Sequence, residues 1–391
     1  MDYSELPVRA GSSSGHARYL QTKMFGSLDG LRALSILAVV WHHANGWDYE
    51  LRHRTNAGFA DWPIAWRGFF GVELFFIISG FLIVTLLLRE RRRTNAISLR
   101  SFYLRRCLRI FPAYYLMLLM TLVVSYLKPG SNSANISREL PFAFFYVSNL
   151  VPMHGPLSIT WSLAAEEQFY LIVPALENYA WRAFSRLLPL TYALISLPQF
   201  GFFPGLELPS FFRESSFAPI ILGVALAHAL DDPQGYAILS RALKHWSSPL
   251  FASALVLALL ACNYPGKDVD GLPRMIISES VTGWPRMIIN WSLLVLVATC
   301  VIRERHALLP ILSFRPLRRI GMVSYGIYLY HGFALYIAYW GLHYCNISLL
   351  LPFFVTSALG AWILAEISYR LLESRFLALK TRLARDAGVS S

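Results

Sequence analysis

Arg32 and His43 stand eleven residues apart in an apolar run that extends from Leu28 to His43. At about 100° per residue, eleven steps make three turns plus roughly 20°, so both side chains project from one face of a helix, with His42 about 80° away. Asp29 enters the same run just before Arg32. An imidazole at one end of such a helix and a guanidinium with a carboxylate at the other are the parts of a proton-handling or anion-binding site. A charged group near the middle of a membrane-length helix costs about 2.5–3.5 kcal/mol, so these side chains are expected to line a cavity or pathway rather than face lipid.

Three further runs repeat the pattern of ionisable groups in apolar surroundings. Glu73 opens the stretch from Gly71 to Ile83, at about the depth of His43, where a carboxylate suits orienting an imidazole or a substrate hydroxyl. Ser79 and Gly80 in the same stretch read more simply as small residues that let another helix approach. Ser162, Glu166 and Tyr170 follow at i, i+4 and i+8 on one face, with Glu167 beside them, and Ser324, Tyr328 and His331 share a face later in the chain. A lone histidine in the last group would be a helix-packing hydrogen bonder, and its Ser and Tyr companions extend it to a polar network. Between these runs lie Arg89, Arg91 to Arg93, Arg100, Arg105, Arg106 and Arg109. Arg89 to Arg93 read as topology-setting charge near anionic lipid. Arg106 and Arg109, one turn apart at the mouth of a helix, suit bidentate phosphate binding, with Arg105 adjoining. Cys107, Cys262, Cys300 and Cys345 share no metal or redox spacing and read as packing residues, so no metal is expected.

The elements that must position these groups are membrane helices. The 391-residue chain is 55% hydrophobic and only 15% charged, against about 25% charged in soluble domains. Its net charge of +12 sits between apolar runs and carries no nucleic-acid motif, so nucleic acid is not a partner and the bilayer is. Apolar runs at 27–47, 67–88, 107–127, 157–179, 187–203, 212–230, 248–263, 286–302, 320–341 and 348–371 give an all-α, polytopic bundle of about ten transmembrane helices. Residues 139–153 are apolar but too short to cross, and read as an interfacial or re-entrant piece. With residue 1 in the cytoplasm, 25 Lys and Arg fall in inner connections and nine in outer ones, which places both termini inside. His43 then lies about 22 Å beyond Leu28, toward the outer face. Residues 1–26, polar and rich in Ser and Gly, read as a disordered cytoplasmic arm without a cleavable signal, 27–376 as the membrane domain and 377–391 as a basic cytoplasmic tail. The pentapeptide Pro-Arg-Met-Ile-Ile at 273–277 and 285–289 is too short to indicate repeat architecture.

Taken together, these motifs resemble acyltransferase family 3, the integral-membrane O-acyltransferases that modify O-antigen, exopolysaccharide and macrolides. The Leu28–Arg32 signature with His43, the Gly71–Ile83 run, Arg106 and Arg109 before Ile-Phe-Pro, the Trp161–Tyr170 run with its paired glutamates, and Ser324–His331 occur in family order over roughly 27–376. The chain departs mildly from the pattern at Ile159, Val173 and Gly326. The resemblance implies a multi-pass protein of a bacterial inner or plasma membrane. It also implies acyl-CoA, usually acetyl-CoA, as cytoplasmic donor and a hydroxyl of a glycan or glycosylated metabolite as acceptor. In that reading His43 is general base or transient acyl carrier. Arg32 and Asp29 orient the helix or donor, Arg106 and Arg109 hold the donor phosphates, and Glu73, Glu166 and Glu167 complete the network. The rival from another class is a proton-coupled transporter of a small solute, which would use the same ionisable residues but lacks the inverted repeat expected of one. A non-catalytic membrane scaffold is a third reading, disfavoured by the number of ionisable groups in apolar runs.

Overall fold

Among the described residues every regular element is a helix, as apolar segments demand when the backbone must satisfy its own N–H and C=O groups. The computed structural model describes residues 13–22, 24–52, 62–127, 133–202, 216–262, 264, 281–303, 305–347 and 349–378. In chain order the helices are α1 (Ser13–Gln21), α2 (Gly26–Arg52), α3 (Pro63–Trp66), α4 (Phe70–Thr94), α5 (Leu99–Leu127) and α6 (Ser133–Phe144). They continue with α7 (Thr160–Ser196), α8 (Ala218–Asp231), α9 (Pro233–Ala242), α10 (Ser248–Ala261) and α11 (Trp284–Ile302). The last four are α12 (Leu309–Leu312), α13 (Arg315–Met322), α14 (Ser324–Tyr344) and α15 (Leu350–Ser368).

Helix α2 is the central post. It packs against α4, α13, α14 and α15 and buries Leu31, Ile36, Val39 and Val40. Asp29 lies in its first turn, where a carboxylate complements the positive end of the helix dipole. The glycine of the Leu28–Arg32 signature has a steric reason. A Cβ on Gly30 would collide with the backbone of Leu312, and one on Gly321 of α13 would collide with the carbonyl of Asp29. Further along, Gly71 of α4 rests on the carbonyl of Ser35 with no room for a side chain. The start of α2 is also tied through Ser27, whose hydroxyl lies 2.7 Å from His306 Nε2.

Helix α4 crosses α8 at Gly80 and Gly223, each seated on the other helix's backbone. It ends at Asn95, which takes the left-handed conformation (φ 57°) that Asn tolerates, after Arg91, Arg92 and Arg93 in the last turn. The runs expected as two spans at 157–179 and 187–203 give the two helical parts of α7, which meet at a kink where Ala180 takes non-helical backbone, one residue past the end of the first run. At that break Arg91 donates to the carbonyl of Glu177, and the buried Glu177 carboxylate lies 2.7 Å from His228 Nε2. Side chains from α4 and α8 thus satisfy polar groups at the kink.

Part of the N-terminal arm departs from the composition-based expectation. Residues 13–21 are helical, and His16 and Tyr19 pack at a tilt against Tyr236, with ring centroids 5.1 and 5.6 Å apart, giving a polar segment an aromatic anchor. Residues 139–153 fall in the end of α6, which carries Pro141, and in a short 3₁₀ turn at Ser148–Leu150. Among the described residues, four helical segments are long and apolar enough to cross a membrane: Phe70–Thr94, Leu99–Leu127, Trp284–Ile302 and Leu350–Ala378. A fifth arises if Gly15–Gln21 and Gly26–Trp47, bent by 64°, count as one. Residues 1–12, the copy at 273–277, the beginning of the 212–230 run and the tail beyond residue 378 lie outside the described residues.

Candidate active site

Two cavities meet at Val72, Phe76 and Tyr328, which line both. One holds Arg32 of α2, Ser79 of α4, Ser162 and Glu166 of α7, and Ser324 and Tyr325 of α14. The other holds His42 and His43 of α2, Glu73 of α4, Trp161 of α7 and Arg286 of α11. Eleven residues of α2 at 1.5 Å rise set the Arg32 and His43 levels about 16 Å apart. The 3.6-residue period therefore delivers the two residues of the opening motif to two neighbouring cavities on one face of α2.

His43 Nδ1 lies 3.0 Å from the carbonyl of Val39, one turn back on its own helix. A carbonyl only accepts, so in the neutral ring this nitrogen carries the proton and Nε2 keeps the lone pair. His331 approaches from α14, with Nε2 at 3.2 Å from His43 Nδ1 and ring centroids 4.8 Å apart. His331 is itself held by the Tyr328 carbonyl, 2.6 Å from its Nδ1. His42 also lines this cavity, but its ring packs edge-on to Phe69 at 5.6 Å. Glu73 does not reach the imidazole in a direct hydrogen bond. It pairs with Arg286 at 2.5 Å, both side chains 4% exposed, and the guanidinium lies over the Phe69 and Phe70 rings. Burial makes such a pair interdependent, because either charge left alone in apolar surroundings carries a large desolvation penalty.

At the Arg32 level, Glu166 Oε1 accepts hydrogen bonds from the Ser79 hydroxyl and the Tyr170 phenol. Ser162 and Tyr328 hydroxyls meet at 2.6 Å, and Tyr328 also donates to the Ile159 carbonyl. The buried Ser324 hydroxyl makes no hydrogen bond among the described residues, leaving an unused polar group in the cavity wall. Arg32 lies in the field of Arg109, Asp29, Glu166 and Tyr170. The Arg106 guanidinium stacks 5.3 Å over the Tyr170 ring and senses Arg109, Glu166 and Glu167. Arg32 and Arg106 thus gather near Glu166 and Tyr170, with Arg109 in their field.

Some expected members stand apart. Arg105 pairs with Glu90 at 3.6 Å on a partly exposed surface, which removes it from the arginine group. Arg109 is exposed. Glu167, one position from Glu166 and so turned by about 100°, faces Tyr114, Tyr115 and Tyr146 rather than the cavities. Ser79 turns out to be a hydrogen-bond donor to Glu166, whereas Gly80 does the packing expected of both. Arg286, which belongs to the second pentapeptide copy and counts as an outer-loop residue by sequence, is buried in α11. Its position just inside an apolar run was the one available signal.

The sequence matches the family described as an acyltransferase domain over residues 25–366. Among characterised proteins it is similar to the peptidoglycan O-acetyltransferase OatA of Listeria monocytogenes, 28% identical over 387 residues that take in 90% of this chain and 56% of that protein. The O-acetyltransferase OatA of Staphylococcus aureus is likewise 28% identical, over 369 residues, with 89% of this chain and 56% of that protein covered. The chain spans about half the length of these relatives. No solved structure matches.

Proposed function

Because the chain belongs to the acyltransferase family whose pattern it carries over residues 25–366, we propose that it moves an acetyl group from acetyl-CoA to a hydroxyl of a bacterial cell-wall glycan of the peptidoglycan class. The observation that carries this reading is the pair of cavities that share Val72, Phe76 and Tyr328 as wall residues, with Arg32 and its arginine neighbours at one level and His43 at the other. A coenzyme A thioester is a long polyanion with a neutral, amide-bearing arm. Arg32, Arg106 and Arg109 supply guanidiniums for its phosphates. Hydroxyls of Ser79, Ser162, Ser324 and Tyr328 line the path for its amides, and the Ser324 hydroxyl supports this because it has hydrogen-bonding capacity to spare. The similarity to the peptidoglycan O-acetyltransferase of Listeria supports the acceptor class.

In this reading the chain crosses the membrane about ten times with both termini in the cytoplasm. The donor enters at the arginine level and the acceptor at the His43 level. The acceptor O–H gives its proton to His43 Nε2 as its oxygen attacks the thioester carbonyl carbon. The tetrahedral adduct then expels the coenzyme A sulfur, the C–S bond breaks, and the imidazolium returns the proton to the thiolate. A base in this role is typically worth 10²–10⁴ in rate. The test uses purified protein with labelled acetyl-CoA and a muramic-acid-containing oligosaccharide. Equal amounts of free coenzyme A and O-acetyl sugar are expected. Well-folded protein that yields neither would overturn the proposal.

A further inference from the structure

We infer that His331 is a positioning residue for the His43 base, accepting a hydrogen bond from His43 Nδ1 and so holding the imidazole in the tautomer and orientation that leave Nε2 ready for the acceptor hydroxyl. The inference rests on the acyl-transfer reading above and adds to it a residue that touches no substrate.

The tautomers follow from chemistry rather than from hydrogen positions. His331 Nδ1 lies 2.6 Å from the Tyr328 carbonyl, which can only accept, so Nδ1 is the protonated nitrogen and the neutral ring has a lone pair at Nε2. That lone pair lies 3.2 Å from His43 Nδ1. His43 Nδ1 is protonated for the same reason, through Val39 at 3.0 Å, so its N–H is shared between the Val39 carbonyl and His331 Nε2. The alternative, a proton on His43 Nε2, would abandon both acceptors. It would also remove the base from the cavity side of the ring.

The shared bond has a further effect during the reaction. When His43 takes the acceptor proton it becomes an imidazolium, and Nδ1–H becomes a stronger donor. His331 Nε2 and the Val39 carbonyl then both stabilise the charge that develops. His331 is suited to this because it is 1% exposed and fixed at its far nitrogen, so it neither rotates nor is solvated away. Tyr328 links the arrangement to the path: its carbonyl holds His331, while its phenol bonds Ser162 and lines both cavities. A merely packing role for His331 would require only a filled volume, and an apolar ring would serve it.

The test compares His331→Phe, which fills the volume without an acceptor, with His331→Gln, whose amide oxygen can accept from His43 Nδ1–H. Steady-state acetyl transfer is measured with both substrates varied, alongside wild type and His43→Ala, and thermal unfolding in detergent confirms folding. For His331→Phe, kcat is expected to fall roughly 10- to 100-fold, less than the full value of the base, with KM for acetyl-CoA and acceptor within about twofold of wild type by the binding logic of the split. His331→Gln is expected to recover at least a third of wild-type kcat. A His331→Phe enzyme with wild-type kcat would overturn the inference, as would folded Phe and Gln variants that lose activity equally. Loss of transfer in wild type itself, or full activity in His43→Ala, would instead overturn the acyl-transfer reading on which it stands.

Discussion

Two adjacent histidines line one cavity, and their surroundings separate them. His43 has its Nδ1 fixed by Val39 and His331, whereas His42 packs its ring against Phe69. His43→Ala is therefore expected to lower transfer by 10²-fold or more, while His42→Ala keeps a large part of it, as read by initial rates on correctly inserted protein. Equal losses would refute the assignment. Arg106→Ala should raise the apparent KM for acetyl-CoA, with Arg106→Lys only a partial rescue because an ammonium lacks the planar fork that stacks over Tyr170. An unchanged donor KM would return Arg106 to a role in lipid or topology. At this scale the sequence was informative wherever partners share a helix. The i, i+4 relation of Glu166 and Tyr170 is a hydrogen bond, and Ser324, Tyr328 and His331 do lie along one face of α14, reaching from one cavity to the other. It was silent on Glu73 and Arg286, which meet across 213 positions, because spacing constrains only neighbours on one element.

The elements hold their places through contacts with almost no tolerance. Gly321 presses on the backbone at Asp29, three residues before Arg32, so Gly321→Ala must push α13 away from α2. A thermal midpoint several degrees lower and a weakened donor KM are expected together, since the displaced stretch carries Arg32; a change in neither would show that the crossing is slack. The tie between Ser27 and His306 adds a pH dependence. Burial, with Arg303 nearby, holds the His306 imidazole below its ordinary value. Its neutral form then contributes stability that is fully present above the unfolded value of about 6.5 and is lost as pH falls through the lower folded one. Thermal midpoints measured from pH 7.5 down to pH 5 should decline, and His306→Gln should flatten that slope. Motif glycines such as Gly30 and Gly71 were visible in the sequence, but their partners, Leu312 and Ser35, became clear only from the packing. The α7 kink falls beside residue 179, where the first of the two apolar runs ends, but the polar groups that settle there come from distant helices and left no mark in the local sequence.

For the whole molecule, the proposal places donor and acceptor on opposite sides of a membrane. In sealed vesicles of known orientation, acetyl-CoA supplied only to the cytoplasmic face is expected to acetylate a glycan confined to the other face, with little gain on permeabilisation. Transfer that requires both substrates in one compartment would refute the arrangement. All-helical architecture was legible from composition, whereas crossings were harder to count. Helix α14 spends its length on Tyr, His and Gly, α7 carries its paired glutamates, and α8 and α10 have only 14 residues each, so hydropathy and length mark four or five crossings rather than ten. If the remaining helices cross as proposed, the polar residues that line the cavities are also what lowers their hydropathy below that of a span.

Because α2 is clamped at Gly30 by α12, at Asp29 by α13 and at Ser35 by Gly71, it behaves as a ruler rather than a spring. The gap between Arg32 and His43 is a fixed measure of reach, counted in residues. One residue inserted between Gly71's seat at Ser35 and His43 would swing the imidazole about 100° off the path and away from His331. Four would bring it back to within about 40° of its face but some 6 Å farther along. On the proposed reading, a donor arm of constant length could then no longer present its thioester there, so an enzyme built on this post would be expected to vary its acceptor by changing the cavity walls but not its carrier without changing the post.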